Sequence, residues 1–109
     1  MFEQLSRDDR MLLLRFVCAF AWTDLTIHQG EQKFVERLIE RMQLSSDDRS
    51  EALAFLHVAP SPEATNPTLV PKEHRRVFIE SVRALIYADG DVDAEERDRF
   101  EKLKTALDF

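Results

Sequence analysis

Moved along itself by 65 residues, the sequence comes back into register without a gap, and no other feature restricts the fold as much. Val17 falls on Val82, Ala19 on Ala84, Asp24 on Asp89, Glu31 on Glu96 and Leu38 on Leu103. Phe20 over Leu85, Trp22 over Tyr87, Ile27 over Val92 and Val35 over Phe100 keep apolar character at the same positions. Two amphipathic helix pairs share apolar positions easily; an Asp and a Glu at identical offsets in both turns are a sharper coincidence. The pattern reads as one helical hairpin used twice, related by a pseudo-twofold axis.

The helices of each copy follow from local signals. Ser6 with Asp9 has capping-box spacing and predicts a helix from about 7 to 23, apolar around most of its circumference and therefore central. After the polar stretch 24–30, Phe34, Val35, Leu38, Ile39 and Met42 form one stripe, with Glu36, Arg37, Glu40 and Arg41 opposite. Ser45 with Asp48 opens a crossover helix over about 46–59, lined by Ala52, Leu53, Phe55, Leu56 and Ala59 and stopped by Pro60 and Pro62. All four prolines fall within 60–71, the one clear loop, where Leu69 and Val70 are expected to anchor the chain on the bundle. A fourth helix over about 72–88 carries Val77, Phe78, Val82, Leu85 and Ile86. A fifth, after Asp93, carries Phe100, Leu103, Ala106 and Leu107. With two glycines and 44% hydrophobic residues, the 109-residue chain suits a single domain. The expected fold is all-α: a compact bundle of about five helices over 1–109, with hairpins at about 7–43 and 72–108 and the crossover helix at about 46–59.

Charge narrows the function classes. Fifteen basic against 21 acidic side chains give a net charge of -6, which repels nucleic-acid phosphates and anionic membranes. Arg7 and Arg10, Arg37 and Arg41, and Arg75 with Arg76 are interspersed with acids and read as solvated faces, so no nucleic-acid partner is expected. The run Met11–Trp22 is interrupted by Arg15 and falls short of the roughly 20 residues needed to span a bilayer, which argues against membrane insertion. Met1–Asp9 carries both signs of charge and does not resemble a secretory signal. The single cysteine, Cys18, lies in the most apolar run and reads as a small buried side chain, as suits a reducing, cytoplasmic setting.

The strongest chemical signal is the turn Ala88-Asp89-Gly90-Asp91-Val92-Asp93-Ala94-Glu95-Glu96. It has the second half of a calcium-loop pattern, with an acid before the glycine, a central hydrophobic residue and a closing glutamate. The first half is missing, because Leu85 and Tyr87 stand where oxygen ligands belong. Asp89, Asp93 and Glu96, with Asp91, are candidate ligands for a hard divalent cation, Ca²⁺ or Mg²⁺ ahead of Zn²⁺; a cation would relieve the mutual repulsion of these acids. The bland account is that Asp93 and Glu96 form a capping box and the other acids are solvated. In the matching first turn, Asp24 and Glu31 are retained and would support a shared site. His28 there suits zinc chemically, but a lone histidine at a helix start is more often an exposed turn residue, and it is read as one. His57 and His74 show no constellation. No phosphate loop, dinucleotide fingerprint, metalloprotease motif or nucleophile elbow occurs.

The repeated helix, acidic turn, glutamate and helix resemble the TerB-like family, which includes tellurite-resistance protein B and the N-terminal domain of a DnaJ-type membrane co-chaperone. Ala88, Asp89, Gly90, Val92, Glu95 and Glu96 match its turn, and Trp22, Asp24, Ile27 and Glu31 match a first copy in which Leu25 replaces the glycine. The resemblance covers roughly Leu12 to Phe109. It implies an all-helical domain with acids gathered on one face as a metal site. Its setting would be stress response, tellurite resistance and membrane-linked complexes, with no enzymatic reaction. Relatives often continue past the fifth helix, so the chain reads as a compact or a truncated version. The expected function is a divalent-metal-binding or metal-responsive accessory domain with a protein partner. The alternatives are a non-catalytic interaction adaptor whose acids are structural caps and, more distantly, a carboxylate-dependent hydrolase built on Asp24 and Asp89.

Overall fold

Ser6 and Ser45 cap helices as their spacing predicts. Each hydroxyl accepts from the backbone N–H three residues on, Asp9 at 3.1 Å and Asp48 at 3.2 Å. The caps open α1 (Arg7–Ala21) and α3 (Ser46–Ala54) in a computed structural model that describes residues 2–23, 26–88 and 94–108. Between these two helices lie β1 (Trp22–Thr23), β2 (Thr26–Ile27) and α2 (Gln29–Arg41). The strands pair antiparallel, Trp22 opposite Ile27, and act as a small clasp between α1 and α2. Helices α4 (Arg75–Ile86) and α5 (Ala94–Ala106) complete an all-α bundle of five helices among the described residues.

Two helix ends and the proline segment differ from the sequence reading. Helix α1 stops at Ala21 because Trp22 turns extended (φ -76°, ψ 115°) to enter the clasp. Helix α3 stops at Ala54 rather than near 59: the N–H groups of Phe55, Leu56 and His57 donate to carbonyls three residues back, and Ala59 is exposed beyond that tightened end. The proline segment contains two short 3-10 turns, Pro62–Thr65 and Pro67–Leu69, each with proline in its first position. Val70 is buried and anchors this segment, whereas Leu69 is exposed.

The core forms where α1 crosses α4, the most extensive helix contact in the molecule. Leu13, Leu14, Phe16 and Val17 meet Phe78, Val82 and Leu85, all fully or nearly fully buried, each worth about 1.5–3 kcal/mol of transfer free energy. Phe16 and Phe78 stack edge to face with ring centroids 5.6 Å apart. The Cα radius of gyration, 12.8 Å, is that of one domain of this length, for which about 13 Å is expected. No helix among the described residues is long and apolar enough to cross a membrane.

The sequence repeat is repeated in three dimensions. Helix α5 has the limits of α2 moved by 65 residues, and the 3-10 turn Lys72–His74 with α4 has those of α1. Both hairpins end on a non-glycine residue in the left-handed region, Gln43 (φ 53°) and its counterpart Asp108 (φ 61°). Both are tied across their ends by an arginine. Arg10 Nη1 donates to the Met42 carbonyl at 3.0 Å, and its counterpart Arg75 donates from Nη1 to the Leu107 carbonyl at 3.4 Å. These two arginines, expected on solvated faces, are half-buried caps for the orphan carbonyls of α2 and α5. Asp9 and His74 are counterparts as well, and they meet: Oδ2 and Nε2 lie 3.7 Å apart. When two equivalent halves are related by a twofold, only positions beside the axis touch their own counterparts. The pseudo-axis therefore runs between the starts of α1 and α4.

Candidate metal centre

Of the six residues expected to bind a cation, Asp24, Asp89, Asp91 and Asp93 lie outside the described residues. The other two, Glu31 and Glu96, are described and share one position. Each is the third residue of its helix, the place from which a glutamate reaches back over the helix start. Both are buried, Glu31 at 1% exposure and Glu96 at 6%. An ionised carboxylate taken from water is costly unless matched by charge or hydrogen bonds, and both are engaged by other groups of the protein. Their place in the first helical turn, where the backbone dipole is positive, supplies part of that compensation.

His28 stands at the N-cap of α2 without a side-chain cap bond and is exposed. Glu95, beside Glu96, is exposed. Among the described residues no group of three or more His, Cys, Asp or Glu side chains stands close enough to hold a metal. The expected convergence of the Asp24 and Asp89 turns into one pocket likewise falls outside the described residues. The two glutamates offer hard oxygen donors of the type Ca²⁺ and Mg²⁺ take, without the thiolates or clustered imidazoles that favour zinc.

Other titratable groups are structural. The Cys18 thiol is fully buried in α1, and burial pushes its pKa up to about 12, as suits a small core side chain. Arg7 joins α1 to α3 through two hydrogen bonds to Asp48, at 2.7 and 2.9 Å, which hold that carboxyl below its ordinary range and the guanidinium above its own. His74, which showed no constellation in the sequence, sits buried against Asp9. The Arg10 and Arg75 ties were also missed, although the displacement that aligns Asp24 with Asp89 sets one arginine over the other.

Comparison with protein-family models, curated proteins and solved structures gives no match for this chain.

Proposed function

We propose that this chain is a non-enzymatic accessory domain that binds a divalent cation, Ca²⁺ or Mg²⁺, at its second acidic turn. Asp89, Asp93 and Glu96 would supply the central ligands, with Asp91, Asp24 and Glu31 in support. The observation that carries this reading is the matched burial of Glu31 and Glu96 at the same position of two hairpins. Two helix starts that each draw a glutamate inward, one after a turn with a single aspartate and the other after a turn with three, suit a domain whose acids face a common positive charge. The TerB-like resemblance supports the same assignment and is the basis for a setting in stress or tellurite resistance. A buried lone cysteine fits a cytoplasmic, reducing location, and the net charge of -6 favours a protein partner over nucleic acid.

The hydrolase alternative would need Asp24 and Asp89 to meet, and both lie outside the described residues. The adaptor alternative has a specific observation in its favour: Tyr87 is 56% exposed and lines a groove between α4 and α5.

Calorimetric titration of the metal-free protein with Ca²⁺, Mg²⁺, Zn²⁺ and Mn²⁺ tests the proposal, with Asp89→Ala, Glu96→Gln and Asp24→Ala alongside. Saturable binding of Ca²⁺ or Mg²⁺ is expected, weakened about tenfold or more by the first two substitutions and less by the third. Heats no larger than those of matched ionic strength would end the metal reading.

A further inference from the structure

The two hairpins differ most in what covers them. Helix α3 packs on both α1 and α2, and Phe55 at its end receives the Trp22 indole N–H on its carbonyl at 2.8 Å and the Arg15 guanidinium over its ring at 5.9 Å. Moved by 65 residues, Trp22 and Arg15 become Tyr87 and Glu80, and these line an open groove of about 530 Å³ between α4 and α5. On the first hairpin Met11, Leu14, Cys18, Val35 and Ile39 are buried. Their counterparts on the second, Arg76, Ile79, Arg83, Phe100 and Lys104, all line the groove. The groove is thus the second hairpin's version of the seat that α3 fills on the first.

Its chemistry names an occupant. Ile79, Ile86 and Phe100 keep an apolar floor, while three positions that are Met, Cys and Ile under α3 have become arginine, arginine and lysine. Arg15 gives way to Glu80 and Glu36 keeps its sign as Glu101, but Gln32 is matched by Arg97, so the lining carries four basic side chains against two acidic ones in a chain with 21 acids to 15 bases. Glu80 pairs with Arg76 at 3.3 Å and Glu101 with Lys104 at 3.7 Å. Among the described residues Arg83 and Arg97 form no ion pair, and both stand exposed beside the apolar floor. That combination suits carboxylates flanking an apolar helix face.

We propose that the α4–α5 groove docks an acidic, amphipathic helix of a partner protein, laid across the second hairpin as α3 is laid across the first. Helix α3 is itself an acidic segment, with Asp47, Asp48 and Glu51 beside a buried Ala52 and a half-buried Leu53, and it uses Asp48 and Glu51 to reach Arg7 at 2.7 and 3.8 Å. None of the residues lining the groove is a candidate cation ligand.

The test uses the full chain and a fluorescent peptide of residues 45–58 carrying Arg49→Glu, followed by anisotropy and by amide chemical-shift mapping. A second peptide carries lysine at positions 47, 48 and 51. The acidic peptide is expected to bind saturably, with shifts confined to α4 and α5. Affinity should fall about tenfold or more in Arg83→Glu/Arg97→Glu and weaken steeply with added salt, while the basic peptide fails to bind. Both arginines are exposed, and an unchanged far-ultraviolet dichroism spectrum will show that the variant is folded. The proposal is overturned by no saturation at millimolar peptide, by equal binding of both peptides, or by shifts on α1 and α2 that signal displacement of α3. Concentration-dependent dimerisation abolished by the double variant would assign the groove to a second copy of the chain and overturn the partner assignment.

Discussion

The two hairpins are built alike at their ends and unlike on their outer faces. Each begins its second helix with a buried glutamate, closes it with a left-handed residue, and ties the closing carbonyl to an arginine on its first helix. Only the first carries α3, and there the matching outer face is apolar; on the second it is studded with cations. The difference separates two kinds of constraint. Residues that satisfy backbone groups serve each hairpin wherever it stands, so they keep their chemistry, whereas the counterparts that meet between the hairpins, Asp9 and His74, are complementary rather than alike. Residues on an outer face answer to whatever packs there, and they diverge.

Three perturbations grade this comparison. The largest concerns the shared centre: Phe78→Ala should cost about 3–5 kcal/mol and Leu13→Ala, at its counterpart, about 2–5 kcal/mol. Urea unfolding should show one transition in each case, because the core belongs to both hairpins; two separable transitions would break the picture of a single cooperative unit. Next come the arginine ties. Arg10 donates from Nε to the Phe2 carbonyl at 3.2 Å as well as to Met42, whereas Arg75 Nε is buried without a hydrogen-bond partner. Arg10→Met should therefore cost about 1.5–3 kcal/mol in the same assay and Arg75→Met less than about 1 kcal/mol. Equal losses would mean that the ties are equivalent in energy as well as in position. The smallest effect is at the hairpin ends. Gln43→Gly relieves a left-handed backbone and should raise stability by about 0.5–1 kcal/mol, read as a higher melting temperature. Asp108→Gly should give almost nothing, since aspartate tolerates that conformation and its carboxylate accepts from Arg75 at 3.2 Å.

Local features were legible in the sequence and distant ones were not. Ser6 and Ser45 announce their helices because a cap is decided within four residues, and the stripe Val35, Leu38, Ile39, Met42 announces a buried face because helical period fixes it. The end of α3 was misread because Phe55 and Leu56 are apolar whether they continue a helix or fold under it in a tightened turn. The Asp9–His74 contact joins residues that are each unremarkable in isolation. The groove stayed hidden for the same reason: Arg76, Arg83, Arg97 and Lys104 each read as ordinary surface charge until the backbone brings them to one rim. Of the candidate site, the offset of 65 sets Glu31 over Glu96, and the burial of both is the part that required three dimensions.

The bond from Trp22 to the end of α3 has a practical corollary. The chain contains one tryptophan and one tyrosine, and they occupy the same position in the two hairpins, each just ahead of its acidic turn. The protein thus carries its own pair of optical reporters. Emission from the indole follows the seat of α3 and the first turn, and emission from the phenol follows the open groove and the second, so either half can be watched without attaching a label to it.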